Sequence, residues 1–263
     1  MPQTDSTPLR FVGLDVHKHY LVATGIDRQG NQVFGPHHVP IPRLEAWITK
    51  HLTLQDAVVL EMTTNTWKMH DLLDPNVHSV TVVHPPHVAL IVRAQVKTDK
   101  KAALTLAQLH AAHLLPAVWV PPQEVRELRA LIAQCHKMSR LSATTKNRPH
   151  ALLHRKQIQP PEGTALFDPD TRQWWESLPL SATELVCLQS DLDTLDFARS
   201  QIIRLDRCLA MLAVQDKRVL LLVQLPGIAI LNSMTILAAI GDITRFPDVS
   251  HLVGYAGLGA RGH

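Results

Sequence analysis

Five short apolar runs in the first 84 residues limit the fold of this chain more than any other feature. "FVGLDVH" (11–17) and "YLVATGI" (20–26) follow one another almost without a gap, and "DRQGN" (27–31) is a glycine-containing turn into "QVFGPHHV" (32–39). Runs joined this closely around a glycine turn read as strands of a hairpin. "AVVLEM" (57–62) and "SVTVVH" (79–84) come later. Each follows a stretch with helical spacing, "RLEAWITKHL" (43–52) and "TWKMHDLL" (66–73) respectively. The order is three strands, then helix, strand, helix, strand, helix. That predicts an α/β domain with a mixed sheet and helices on both faces, spanning about residues 1–120.

Pro121–Pro122 marks a boundary. Beyond it "EVRELRALIAQCHKMSRL" (124–141) is amphipathic, with Val125, Leu128, Ile132 and Cys135 on one stripe, and Pro149 should kink or end that helix. Four prolines and the Trp174–Trp175 pair make 157–180 an irregular connection. Residues 184–213 then carry a heptad, with Leu188, Leu195, Ile202 and Leu209 at a, Ala198, Leu205 and Leu212 at d, and Asp191 as the one break. Its partner is either the preceding helix or a second chain. These residues make a helical, coiled-coil segment over 121–215.

The last segment, 216–263, reads as helix, turn, helix, with the turn at "LPGI" (225–228). Gly227 permits a positive φ. Such a turn, at Pro226, Gly227 and Ile228, either presents backbone N–H groups to a DNA phosphate or simply joins two packed helices.

Composition removes several classes of function. Of the 263 residues 46% are hydrophobic and 19% charged, which excludes a disordered chain. No run approaches the roughly 20 apolar residues of a membrane span, and "MPQTDSTPLR" shows no secretory h-region, so a cytoplasmic location is expected. Cys135, Cys187 and Cys208 are odd in number and widely spaced, which suggests reduced, buried thiols. The 16 histidines include no pair at HExxH or zinc-finger spacing. A net charge of +3 permits a nucleic-acid partner without requiring one.

Three carboxylates stand at ends of elements. Asp15 lies on the first strand, Glu61 ends the fourth, and Asp99 heads the helix within "VKTDKKAALTLAQ" (96–108). Each has a structural reading: Asp15 ends a strand, Glu61 caps the next helix, and Asp99 is a helix N-cap after Thr98. If the first and fourth strands are neighbours, all three converge. Converging carboxylates suit Mg²⁺, which prefers oxygen ligands, and support phosphoryl transfer.

"FVGLDVHKHYLVATGID", "VVLEMTTNTWKMHDLL", "VKTDKKAALTLAQL" and "LPGIAILNSMTILAAIGDITRFPDVSHLVGYAGL", in that order, resemble the transposases of the "one-ten" family of insertion sequences. The resemblance is weakest over 150–215. It implies an RNase H-like (RuvC-like) domain with an Asp-Glu-Asp-Asp metal set, a coiled-coil insertion and a C-terminal domain with a nucleophilic serine. It further implies DNA transposition guided by a structured RNA, with the insertion-sequence ends and target DNA as partners and a homo-oligomer as the working form. Asp15, Glu61 and Asp99 match the first three acids and would be both catalytic and metal-binding.

Two departures stand out. Ala102 replaces the fourth acid, which would share the Asp99 face of the helix. Only "GARGH" follows Leu258, so the serine has no match; Ser233 does not fit it, and Ser250 reads as a helix N-cap. The expectation is a truncated, catalytically defective copy. A non-catalytic nucleic-acid-binding remnant and a metal-dependent RuvC-like nuclease are the alternatives.

Overall fold

The computed structural model describes residues 7–91 and 98–259. Val96 and Lys97 of the "VKTD" motif and the last four residues of the C-terminal segment lie outside the described residues. The chain divides into two compact units at Val120/Pro121.

The first unit is built on a five-stranded sheet. Its strands are β1 (Arg10–Val16), β2 (Tyr20–Asp27), β3 (Gln32–Pro40), β4 (Asp56–Glu61) and β5 (Ser79–Val83), in the order β3-β2-β1-β4-β5. β2 is antiparallel to β1 and β3, while β4 is parallel to β1 and β5. The helices are α1 (Leu44–His51), α2 (Thr66–Leu73), α3 (Pro85–Ile91) and α4 (Asp99–Ala111). This is a mixed sheet of the RNase H-like α/β kind, and the first and fourth strands are neighbours.

Side chains alternate along each strand, so β1 serves two layers. Val12, Leu14 and Val16 pack with Leu44, Trp47 and Ile48 of α1 and with Met69 and Leu73 of α2. On the opposite face Phe11 and Ala57 meet Ala107 of α4, and Val59 and Val83 meet Val88 of α3 and Leu106 of α4. Gly13 is what lets α4 lie directly on β1. A Cβ there would stand 2.0 Å from the Ala103 carbonyl oxygen and 2.7 Å from the Ala107 nitrogen. At the start of β1 and β4, the guanidinium of Arg10 donates two 2.6 Å hydrogen bonds to the fully buried Asp56. This bidentate pair fixes the end of the central strands furthest from Asp15.

The second unit is helical: α5 (Gln123–Thr145), α6 (Asn147–Lys156), α7 (Arg172–Glu176), α8 (Ala182–Gln215), α9 (Lys217–Leu222), α10 (Ile230–Ile240) and α11 (Val249–Tyr255). α8 opens with a capping box in which Ser181 and Glu184 satisfy each other's backbone N–H groups. It runs unbroken for 34 residues and contributes to two cores. Near its start, Leu188 and Leu192 pack with Leu152, Leu153 and Trp175; near its end, Leu209 and Ala213 pack with Ile132 and Cys135 of α5 and with Met234 and Leu237 of α10. α5 is therefore a partner of α8 within the same chain. Arg129 of α5 donates 2.8 and 3.1 Å hydrogen bonds to the carbonyls of Ala238 and Ala239, satisfying acceptors left open at the end of α10.

Several local expectations are corrected. Leu212 is 40% exposed, and Leu192 and Ala213 are buried in place of the Asp191 and Leu212 positions. A straight helix drifts against a strict heptad, and the buried stripe follows the α-helical period instead. Asp191 is mostly covered, and the Arg148 guanidinium 3.4 Å away offsets its charge. Pro149, by contrast, ends its helix as expected: α5 stops at Thr145, whose carbonyl would pair with the N–H that Pro149 lacks, and α6 starts at Asn147 with Pro149 in its first turn. Residues 157–180 contain α7, which buries Trp175. All three cysteines are free thiols, but only Cys135 is buried, and Cys187 is exposed. Asp248, not Ser250, caps α11 by accepting from the His251 N–H.

Candidate functional site

The alternation that builds the sheet also aims its carboxylates. Asp15 shares the α4 face of β1 with Phe11 and Gly13, and Glu61 shares the α4 face of β4 with Ala57 and Val59. The Leu14–Leu60 register between these parallel strands sets Asp15 and Glu61 at adjacent positions of the sheet. α4 runs opposite to β1, with Ala107 by Phe11 and Ala103 by Gly13, so its first residue arrives at Asp15.

Thr98, not Asp99, is the N-cap of α4. It is extended (φ −117°, ψ 148°), and its hydroxyl accepts a 3.4 Å hydrogen bond from the Lys101 N–H. Asp99 therefore occupies the first helical position, and its carboxylate is free of the capping role. It turns instead to Tyr20 of β2, whose hydroxyl donates a 3.0 Å hydrogen bond to Asp99 Oδ2. That hydrogen bond, with lesser contributions from covering of the phenol and from the charges of Asp99 and Asp15, raises the Tyr20 pKa above its ordinary value.

Between the two aspartates stands a residue the sequence did not single out. His17 Nε2 lies 3.4 Å from Asp15 Oδ2 and 3.5 Å from Asp99 Oδ2. These separations suit charge attraction, yet Nε2 makes no directed hydrogen bond and is shielded from solvent. The ring stacks on Tyr20 at 4.6 Å between centroids, and Tyr20 stacks on His38 at 4.3 Å. Asp15, His17 and Asp99 each offer one ligand atom, all within 4.8 Å of one another. Glu61 has no atom in that trio, although it points from the adjacent strand position. A signal for His17 was present: Asp15 and His17 are two apart at a strand end, which sends both side chains to one side.

The second expected contact region, the turn after α9, is exposed at Pro226 and Gly227 and half-buried at Ile228. Gly227 has φ +84°, and the Ile228 N–H is taken by the Leu225 carbonyl at 3.1 Å. Pro226 has no N–H, so Gly227 is the one residue of the three able to offer an amide to a phosphate. Ser233 is fully buried, with its hydroxyl donating to the Ala229 carbonyl.

Comparison with known families places the chain. A transposase family model, of the DEDD IS110 type, matches residues 12–158. Strands β2 to β5, β1 from Val12 onward, and α4 fall inside that match. The chain belongs to the IS110 family of transposases. A second model, described as "Transposase IS116/IS110/IS902 family", matches residues 219–263 of this transposase. The pilin gene-inverting protein of Moraxella bovis is 28% identical to it over 263 residues, covering 96% of this chain and 73% of its own length. The role of an IS110-family transposase is in DNA transposition and recombination, and DNA is what it binds. Among the described residues no helix is long and apolar enough to cross a membrane.

The donor set of this transposase fits a divalent cation. Two half-exposed carboxylates and one imidazole nitrogen without a hydrogen-bond partner converge within ligand-to-ligand distance. Ala102, at the position of the fourth acid, is a half-buried methyl one turn along α4 and supplies nothing to an ion.

Proposed function

We propose that this transposase acts at the ends of its insertion sequence and at target DNA, directed by a structured guide RNA and working as a homo-oligomer in the cytoplasm. The 1–120 domain is its phosphoryl-transfer domain, 121–215 a helical, coiled-coil spacer, and 216–263 a nucleic-acid-contacting segment whose Pro226–Gly227–Ile228 turn meets phosphate through the Gly227 N–H. The Moraxella relative is named for inverting a pilin gene, and exchange of DNA segments is the activity proposed here as well.

Asp15, Glu61 and Asp99 are the catalytic residues and would hold Mg²⁺. When bound, the ion would neutralise phosphate charge and stabilise the leaving oxygen. The chain's own groups do the remainder. Tyr20 holds the Asp99 carboxylate in place through its hydroxyl. Thr98 takes the cap, so that Asp99 need not. Lys100 and Lys101 are exposed beside Asp99 and attract the DNA backbone. The observation that carries this reading is the arrival of Asp99 at Asp15 on one face of the sheet.

Ala102 favours a second reading, a chain that binds nucleic acid with exchange much impaired. The test is a binding and strand-exchange assay with element-end DNA and RNA transcribed from the flanking element. Binding should be selective and should survive Asp15→Asn, because phosphate contacts are distributed over Lys, Arg and backbone groups. Exchange should be weak and should vanish in Asp15→Asn. Equal binding of unrelated DNA and RNA would defeat the proposal, and exchange that persists in Asp15→Asn would defeat the assigned site.

A further inference from the structure

We propose that His17 is itself a metal ligand, filling through its Nε2 the coordination that Ala102 leaves vacant. The site is thereby shifted from a purely oxygen-lined Mg²⁺ site towards one that takes a first-row transition ion such as Mn²⁺. This rests on the reading of Asp15 and Asp99 as metal ligands and adds to it the identity of a donor and the chemical class of the ion.

Three observations carry the assignment. First, Nε2 is directed between the two carboxylates, 3.4 Å from one and 3.5 Å from the other, and belongs to the one trio of potential ligands found among the described residues. Second, Nε2 is covered from solvent although 35% of the His17 side chain is exposed, and it has no hydrogen-bond partner. A shielded polar atom normally finds a partner, and each exception calls for a reason; an ion between the three ligands supplies one. Third, the ring is oriented in advance. The backbone N–H of His17 donates to the Tyr20 carbonyl at 2.9 Å, which fixes the main chain at this residue, and the imidazole stacks on the Tyr20 ring with an interplanar angle of 28°. Tyr20 is in turn backed by His38 and tied to Asp99. Stacking thus holds the His17 ring, and the Tyr20 hydroxyl fixes the Asp99 carboxylate, as outer groups do around metal ligands.

The chemistry of the donor decides the ion. Mg²⁺ binds oxygen in a near-ideal octahedron and retains its waters. An imidazole in the set favours first-row transition ions over it, and the carboxylates of Asp15, Glu61 and Asp99 keep the site hard enough for Mn²⁺. Replacement of an aspartate on α4 by a histidine at the end of β1 keeps the number of donors and changes their type.

The experiment is Mn²⁺ binding to the full chain, followed by electron paramagnetic resonance. Free Mn²⁺ gives the affinity, and pulsed spectra report any ¹⁴N nucleus bonded to the ion. The wild-type complex should show imidazole ¹⁴N coupling. His17→Gln should lose that coupling and bind Mn²⁺ about tenfold or more weakly. His17→Asp should bind Mg²⁺ more tightly relative to Mn²⁺ than the wild type does, measured by competition. No ¹⁴N coupling in the wild type, or coupling and affinity unchanged in His17→Gln, would overturn the proposal. Asp15→Asn and Asp99→Asn separate the two levels of the argument. If they abolish Mn²⁺ binding and His17→Gln does not, the carboxylate site stands and the histidine ligand falls. If Asp15→Asn, Asp99→Asn and His17→Gln all bind as the wild type does, the site itself falls. The wild-type spectrum needs no variant, so a misfolded mutant cannot mask the answer.

Discussion

The Ala103 carbonyl oxygen lies 2.0 Å from where residue 13 would carry a Cβ, so Gly13 and Ala103 touch backbone to backbone. This contact seats α4 on β1 and brings Asp99 to Asp15. Gly13→Ala should therefore push α4 away from the sheet. Overpacking of this kind costs about 1–3 kcal/mol. Thermal melting should show the loss, and divalent-ion affinity should fall with it although no ligand has been changed.

Ala102→Asp restores a carboxylate one turn from Asp99. Residues three apart on a helix share a face, so the new group points with Asp99. Mg²⁺ affinity, measured by calorimetry, should rise. Equal affinity in both forms would mean that the Asp99 face of α4 does not look at the ion.

Leu195 is 2% exposed on α8, while Ile202 is half-buried. Leu195→Asp should destabilise by several kcal/mol, about the penalty of an unpaired buried charge. Ile202→Asp should cost less, because its charge can reach water. Chemical denaturation of both variants gives the comparison, and equal losses would mean that the two positions are buried alike.

His110 on α4 is held to a pKa of about 4, mainly by burial and secondarily by the charge of His113. Its Nε2 is shielded without a partner, and its ring meets Phe11 edge-on at 5.7 Å. The unfolded chain takes up this proton near pH 6.5, the folded chain only near 4. The unfolded state therefore binds more protons in between, and stability should be full above about 6.5 and decline as pH falls towards 4. Denaturation midpoints across this range should show the decline, and His110→Phe should flatten it.

Much of this was legible in the sequence. The five strands and the helices between them followed from apolar runs and turn residues, and the adjacency of Asp15 and Glu61 followed from the order of elements. The role of Asp99 was less legible, because Thr98 and Asp99 are both good caps and only the backbone decides which one serves. His17 is hard to single out because 16 histidines dilute any one of them, and because it belongs to no motif at helical spacing. A pair two apart at a strand end carries the same information. On α8 the heptad template placed Leu212 inside, whereas Ala213 is the residue that three-dimensional packing buries.

The central claim is that Asp15 and Asp99 together hold a divalent cation. Its most direct measurement is the melting temperature of the full chain as Mg²⁺ is raised. A ligand at ten times its Kd stabilises the folded state by about 1.4 kcal/mol. The wild-type melting temperature should climb with Mg²⁺, while Asp15→Asn and Asp99→Asn should remain folded but not respond. The same climb in all three proteins would contradict the claim.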